Sequence, residues 1–156
     1  MFEIIKSQHI RQLAVGNLFA RDYNFDIQER TMKSKWIQIQ EKQILFIDLS
    51  NFRENARAFE EELTLAVSTI GQEMYQKPLH SVLVLVDLTN THMTEVTNKL
   101  LSERIADTKK FVARTAVVGM TGIRGIFLDY FAQLAGSETV GFENVEAGQK
   151  WLLRTK

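Results

Sequence analysis

"SVLVLVDLTN", residues 81–90, decides how this chain is read. From Val82 to Val86 it is apolar without a break and then closes on Asp87, the pattern of a strand covered on both faces. Such a strand sits in the middle of a sheet. Working outward, "SKWIQIQ" (34–40) alternates Trp36, Ile37, Gln38, Ile39 and Gln40, and "QILFIDLS" (43–50) follows after Glu41 and Lys42, which predicts two strands in a hairpin, the first with one wet face. "ARTAVVG" (113–119) predicts another buried strand and "ETVGF" (138–142) a short fifth one.

Helical spacing fills the gaps. Between Glu54 and Tyr75, Phe59, Leu63, Val67, Ile70 and Met74 recur at three- and four-residue steps, with Asn51 as the start signal and the acidic "FEEEL" (59–63) as a solvated back. A second helix is predicted from about Met93 to Ile105, with Met93, Val96, Leu100 and Ile105 inward and Glu95, Lys99, Glu103 and Arg104 outward. "GIRGIFLDYFAQLAG" (122–136) reads as a third, with Ile126, Phe127, Tyr130, Phe131 and Leu134 on one broad face and Gly136 as its stop. "NVEAGQKWLL" (144–153) reads as a fourth, facing the body with Val145, Trp151 and Leu152. Strands alternating with helices imply right-handed crossovers: an α/β sandwich whose mainly parallel sheet of about five strands carries helices on its faces. Residues 1–30 keep neither period and are set apart as an N-terminal extension, a helix, a strand or an arm onto a partner; residues 31–156 form the domain.

Composition narrows the function classes. With 156 residues, 45% of them hydrophobic, one buried core is expected. Lysine plus arginine equal aspartate plus glutamate, 19 against 19, so no global field draws in nucleic acid or an anionic membrane, and "RTMKSK" (30–35) and Lys109–Lys110 are too short to change that. Cysteine is absent, which removes disulfides, thiolate metal sites and a cysteine nucleophile and fits a cytoplasmic location. "MFEIIKSQHIRQLAVG" (1–16) lacks the apolar run of a signal peptide, and no stretch nears membrane-spanning length. A soluble protein is expected.

Two local patterns bear on a site. "FIDLSN" (46–51) and "LVDLTN" (85–90) share one form and both close a strand, so Asp48, Asp87, Thr89 and the turn around Thr121 are expected to converge where the parallel strands end. The competing account is that these residues fold back on their own backbone in turns and caps. "VVGMTGIRG" (117–125) places Gly119, Gly122 and Gly125 one residue off the dinucleotide fingerprint, and the Lys-Ser or Lys-Thr of a Walker loop is missing. The amides of a helix starting near Thr121, with Arg124 in its first turn, could hold an anion; equally, Gly119 and Gly122 turn the chain, Thr121 caps the helix and Arg124 pairs with a carboxylate. Candidate ligand-binding residues are therefore Asp87, Thr89, Gly119, Thr121, Gly122 and Arg124. His9, His80 and His92 are scattered and match neither a zinc-protease pattern nor a nucleophile elbow, so no catalytic residue, metal ligand or cofactor is assigned. His92, Asp87 and Glu95 form a candidate grouping at a strand end, against the simpler account of a surface histidine beside a cap.

The runs "SVLVLVDLTNT" (81–91), "ARTAVVGMTGIRGIF" (113–127) and "GFENVEAGQKWL" (141–152) resemble the SpoIIAA-like family, a prokaryotic group related to the STAS domains of anti-sigma-factor antagonists and to CRAL-TRIO lipid-transfer domains. The resemblance covers about residues 35–153 and implies a STAS-like fold without naming an activity. Antagonists of that kind carry a phosphorylatable serine in an Asp-Ser-x-Gly turn. Here the chain reads "DLTNTHMTEV" (87–96), and Thr89, Thr91 or Thr94 answers only by analogy, with Thr89 and Thr91 nearest the turn. The resulting expectation is a non-enzymatic STAS-like regulatory or protein-interaction module with an unidentified protein partner, a homodimer being one form it could take. The alternative is a binder of a small anionic or lipid-like ligand at the strand-end, helix-start edge.

Overall fold

The computed structural model describes residues 32–119, 129, 132–133 and 138–154. The extension at residues 1–30 and most of the helix expected over 122–136 lie outside the described residues; Asp129, Ala132 and Gln133 are helical. In chain order the elements are β1 (Lys35–Ile39), β2 (Lys42–Asp48), α1 (Ala56–Met74), β3 (Val82–Asp87), α2 (Glu95–Thr108), a single 3₁₀ turn (Lys109–Phe111), β4 (Val112–Val118), β5 (Glu138–Phe142) and α3 (Val145–Leu153).

Each helix starts where a side-chain acceptor meets a free backbone donor. Asn55 Oδ1 accepts from Ala58 N at 3.0 Å, and Asn144 Oδ1 accepts from Ala147 N at 2.8 Å. Thr94 and Thr97 cap reciprocally at the head of α2, Thr97 N donating to Thr94 Oγ1 at 3.2 Å and Thr94 N to Thr97 Oγ1 at 2.7 Å. Two expectations are corrected here. Asn51 does not start α1; it sits in a turn at φ 62°, and the cap is Asn55. Val96 does not face inward; it is 63% exposed, while Thr97, Asn98, Leu101 and Ser102 are buried. The capping pair sets that phase, since Thr97 turns back toward Thr94 and Leu101, four residues on, shares its side.

The strand order is β1-β2-β3-β4-β5, with β1 antiparallel to β2 and every later pair parallel. Because consecutive strands step in one direction, right-handed crossovers bring their helices to the same face. Phe59, Leu63, Ile70 and Met74 of α1 and Leu101 of α2 accordingly share one core with Leu45, Val84, Val86 and Val117. The opposite face gathers Ile44, Leu83, Leu85, Ala116 and Val118 under Leu152 of α3, with Val145 and Trp151 packed alongside. β3 is buried at every position from Val82 to Asp87, as its apolar run requires of a strand with both faces covered.

Close approach of α3 depends on Gly148. A Cβ built there would stand 2.9 Å from Leu85 Cδ1 and 3.3 Å from Ala116 Cβ. The far end of α3 is tied down by sheet cations: the Arg114 guanidinium donates to the carbonyls of Trp151 (3.2 Å), Leu152 (2.7 Å) and Arg154 (2.7 Å), and Lys42 Nζ donates to Leu153 O at 3.3 Å. A cation on the orphan carbonyls of a helix C-terminus satisfies acceptors that would otherwise need water. Gly148→Val is expected to overfill this contact and lower the unfolding free energy by about 1–3 kcal/mol, read from the urea midpoint.

Candidate functional site

The four parallel strands finish in step. Asp48 is level with Asp87, Asp87 with Val118, and Val118 with Phe142. Pairing continues past the strand ends: Leu49 N donates to Asp87 O (2.9 Å), Leu88 N to Val118 O (2.9 Å), Asn51 N to Thr89 O (2.7 Å) and Arg53 N to Asn90 O (2.9 Å). The expected convergence of Asp48 and Asp87 on one rim is therefore present.

At that rim the repeated sequence is a repeated local fold. Asp48 Oδ1 accepts from Ser50 N (3.1 Å) and Ser50 Oγ (2.5 Å); Asp87 Oδ1 accepts from Thr89 N (2.9 Å) and Thr89 Oγ1 (2.6 Å). Each aspartate folds onto the residue two places on, the Asx turn. Asn51 and Asn90 then take matching left-handed conformations, φ 62° and 57°, and Asn90 Nδ2 donates to Asn51 Oδ1 at 3.0 Å. Asparagine tolerates that region better than other side chains. The two turns lie side by side as one hydrogen-bonded unit.

This geometry sorts the candidate residues. Asp87 is buried and one of its carboxylate oxygens, Oδ1, accepts from its own turn; Thr89 is half-buried with its hydroxyl directed at Asp87. Thr91 is 1% exposed, its hydroxyl donating to Leu49 O and accepting from Phe52 N, so the expectation that it could take a phosphoryl group is dropped on grounds of access. Gly119 sits at φ 88° and its N–H donates to Phe142 O at 3.2 Å. A Cβ there would stand 2.7 Å from Thr89 N and 2.9 Å from Thr89 Cα, so glycine is needed for the chain to cross the Leu88–Thr89 peptide. Thr121, Gly122 and Arg124 lie outside the described residues. His92 is exposed, and its backbone N–H donates to Arg53 O at 2.6 Å. Among the described residues no cluster of histidines and carboxylates could hold a metal ion. Among the described strands the order never reverses, so no crevice of the kind that a reversal opens in doubly wound sheets forms between them.

Two features escape the sequence reading. Glu60 and Glu61 are exposed as expected, but Glu62 is fully buried, which corrects the solvated "FEEEL" face. Its carboxylate accepts from Lys33 N (3.2 and 3.3 Å) and Ser34 N (3.1 Å), clamping the backbone that enters β1. Spacing alone held the signal: Glu62 is three residues after Phe59 and four before Ala66, on the buried stripe. Beside it Lys33 Nζ donates to Ser50 O at 2.5 Å and lies 4.5 Å from the centroid of the Phe52 ring. The second feature is a cavity of about 100 Å³ between α1, α2 and the sheet, walled by Leu63, Ala66, Ile70, Gly71, Val84 and Leu101, with Arg104, Thr108 and Lys109 also on its lining.

Comparison with known proteins bears on the fold. The chain matches no family model and no curated protein. It is similar to the crystal structure of an uncharacterized protein from the DUF3478 family with a SpoIIAA-like fold, from Shewanella loihica PV-4, at 13% identity and a TM-score of 0.59 over 76% of this chain and 91% of that one. The fold is SpoIIAA-like, as the sequence resemblance implied.

Gly119→Ala is expected to cost about 2–4 kcal/mol in stability, combining left-handed strain with the backbone clash, read by thermal unfolding. Glu62→Leu is expected to lose about 1–3 kcal/mol and to speed hydrogen exchange at the amides of Lys33 and Ser34, which are left without an acceptor.

Proposed function

We propose that this chain is a non-enzymatic, STAS-like interaction module that recognises a protein partner through the rim at the strand ends. The observation that carries the proposal is the paired Asx turns. Each hydroxyl donates to one carboxylate oxygen of its own turn, and the backbone beneath Asn51, Arg53, Asn90 and His92 is held by a continuous hydrogen-bond ladder. A surface locked before contact loses little conformational entropy on binding. Polar exposed tips on a rigid ladder suit a partner of mixed polarity.

Thr89 gives this surface a means of regulation. Its hydroxyl bonds the Asp87 carboxylate at 2.6 Å, and a phosphoryl group there would set about two negative charges against that carboxylate and open the turn.

A photo-reactive side chain placed at His92 is expected to give one dominant adduct in cells, whereas the same probe at the exposed Gln72 of α1 gives none in common. An adduct of twice the chain's mass would make the partner a second copy. Thr89→Glu, with its fold checked by circular dichroism, is expected to abolish the His92 adduct. Equal labelling from His92 and Gln72 would remove the rim as the docking surface.

A further inference from the structure

The end of the sheet where β3 and β4 begin lies away from the rim and carries a surface that composition does not show. Taken alone, Lys109–Lys110 is too short to make a cationic face, but the fold sets the loop between α1 and β3 against it: His80 N donates to Lys110 O at 3.0 Å and Ser81 N to Phe111 O at 3.0 Å, so the two segments form one surface. Of the three large apolar side chains that stand out from the described residues, two lie here, Tyr75 at 61% exposure and Leu79 at 62%. Lys109 and Lys110 are exposed beside them, and Lys77 is half-buried between them in sequence. The geometry points to a docking surface for an anionic lipid bilayer, with Tyr75 and Leu79 entering the headgroup layer and the three lysines against lipid phosphates.

The loop is held so that these side chains stay out. Lys77 N donates to Met74 O at 2.9 Å, Ser81 Oγ donates to Pro78 O at 2.7 Å, and His80 takes a left-handed conformation at φ 56°, which fixes the backbone on both sides of Leu79. The Tyr75 ring stands edge-on to Phe111 with 5.2 Å between centroids, a contact that sets its place while most of its surface stays open. Charge on the surface has one sign. From Met74 to Val82 and from Thr108 to Val112 the chain has no acidic residue; Glu73 and Asp107 stand one residue outside, and Asp107 lies 3.8 Å from Arg104 Nη1. Glu41 and Glu138 are exposed elsewhere at this end of the sheet. Lys77 Nζ donates to Gln43 Oε1 at 3.2 Å and lies 5.0 Å from the centroid of the Trp36 ring, and neither contact cancels its charge.

The mixture of side chains selects the partner. A nucleic acid would match the lysines but gains nothing from an exposed leucine, whereas a bilayer interface takes both kinds: ammonium groups sit against lipid phosphates, tyrosine rings at headgroup level and aliphatic side chains beneath it. Each lysine close to an anionic bilayer strengthens binding about fivefold, so three give a reversible contact governed by lipid charge and weakened by salt.

The full chain would be sedimented with vesicles of phosphatidylcholine in which about one lipid in three is phosphatidylglycerol, and with phosphatidylcholine alone. It is expected to bind the mixed vesicles and not the neutral ones, and Lys109→Glu combined with Lys110→Glu is expected to weaken binding by at least about 25-fold, fivefold for each lysine. Because the sequence has no cysteine, Leu79→Cys can carry a single environment-sensitive dye. That dye is expected to shift to the blue on mixed vesicles, while the same dye on Val96→Cys, the exposed apolar position at the other end of α2, stays unchanged. These substitutions all fall on exposed side chains, and circular dichroism checks that each variant folds. Sedimentation that is equal with both lipids, or absent with both, would overturn the proposal. So would a dye at position 79 that still reports water while the chain is bound, because the lysines would then be attracting anions without a bilayer being entered, and so would a blue shift at position 96 as large as that at position 79.

Discussion

Everything in this molecule depends on four parallel strands ending at one level and remaining hydrogen-bonded for a residue or more beyond. Asp48, Asp87, Val118 and Phe142 share that level, and Leu49, Leu88 and Gly119 each donate to the last residue of the neighbouring strand. Turns that leave the sheet so close together have little freedom. Gly119 must be glycine because it crosses the next strand's exit within contact distance, and Asn51 and Asn90 adopt the same conformation because each follows the same strand exit.

A second regularity follows from this crowding. Charged and polar side chains are used mainly to satisfy backbone groups left over where elements stop. Glu62 takes the amides ahead of β1, Asp48 and Asp87 take the amides of their turns, and Arg114 takes the carbonyls at the end of α3. Unpaired donors and acceptors in such places cost about as much as a lost hydrogen bond each, so these residues are architecture before they are anything else. The same accounting is why residue type at a strand end is a poor guide to chemistry. An aspartate followed two places later by serine or threonine already has one oxygen taken by its own turn.

Period and burial made most of the fold legible. The unbroken run at 82–86, the alternation at 36–40 and the stripe from Phe59 to Met74 each carry their element's period, and two strands and a helix formed there. The repeat of "DLSN" and "DLTN" was visible as a pattern, and turn chemistry offered its correct meaning beside a functional one. Details failed where a local contact outranked the average. Asn51 carries capping chemistry but is held in a left-handed turn by the ladder, and Val96 belongs to an apolar set but is turned outward by the Thr94–Thr97 cap. Glu62 was hidden by its charge, since a glutamate on a buried stripe makes sense only once the amides of residues 33 and 34 are known to lie opposite. The cavity depends on how two helices separated by twenty residues of chain meet over the sheet, which no local pattern encodes.

The uneven cover of the sheet bears on how the molecule is made. Among the described residues, the face carrying Leu85, Ala116 and Val118 is roofed by α3 alone, and α3 follows every strand in sequence. While a ribosome is still decoding residues before 145, α3 cannot cover that greasy surface, though α1 and α2 can already dress the other side. A delay in docking α3 would lengthen the time in which chaperone capture or sticking to neighbours competes with closure, and Gly148 and Arg114 are the contacts through which the late-arriving helix docks.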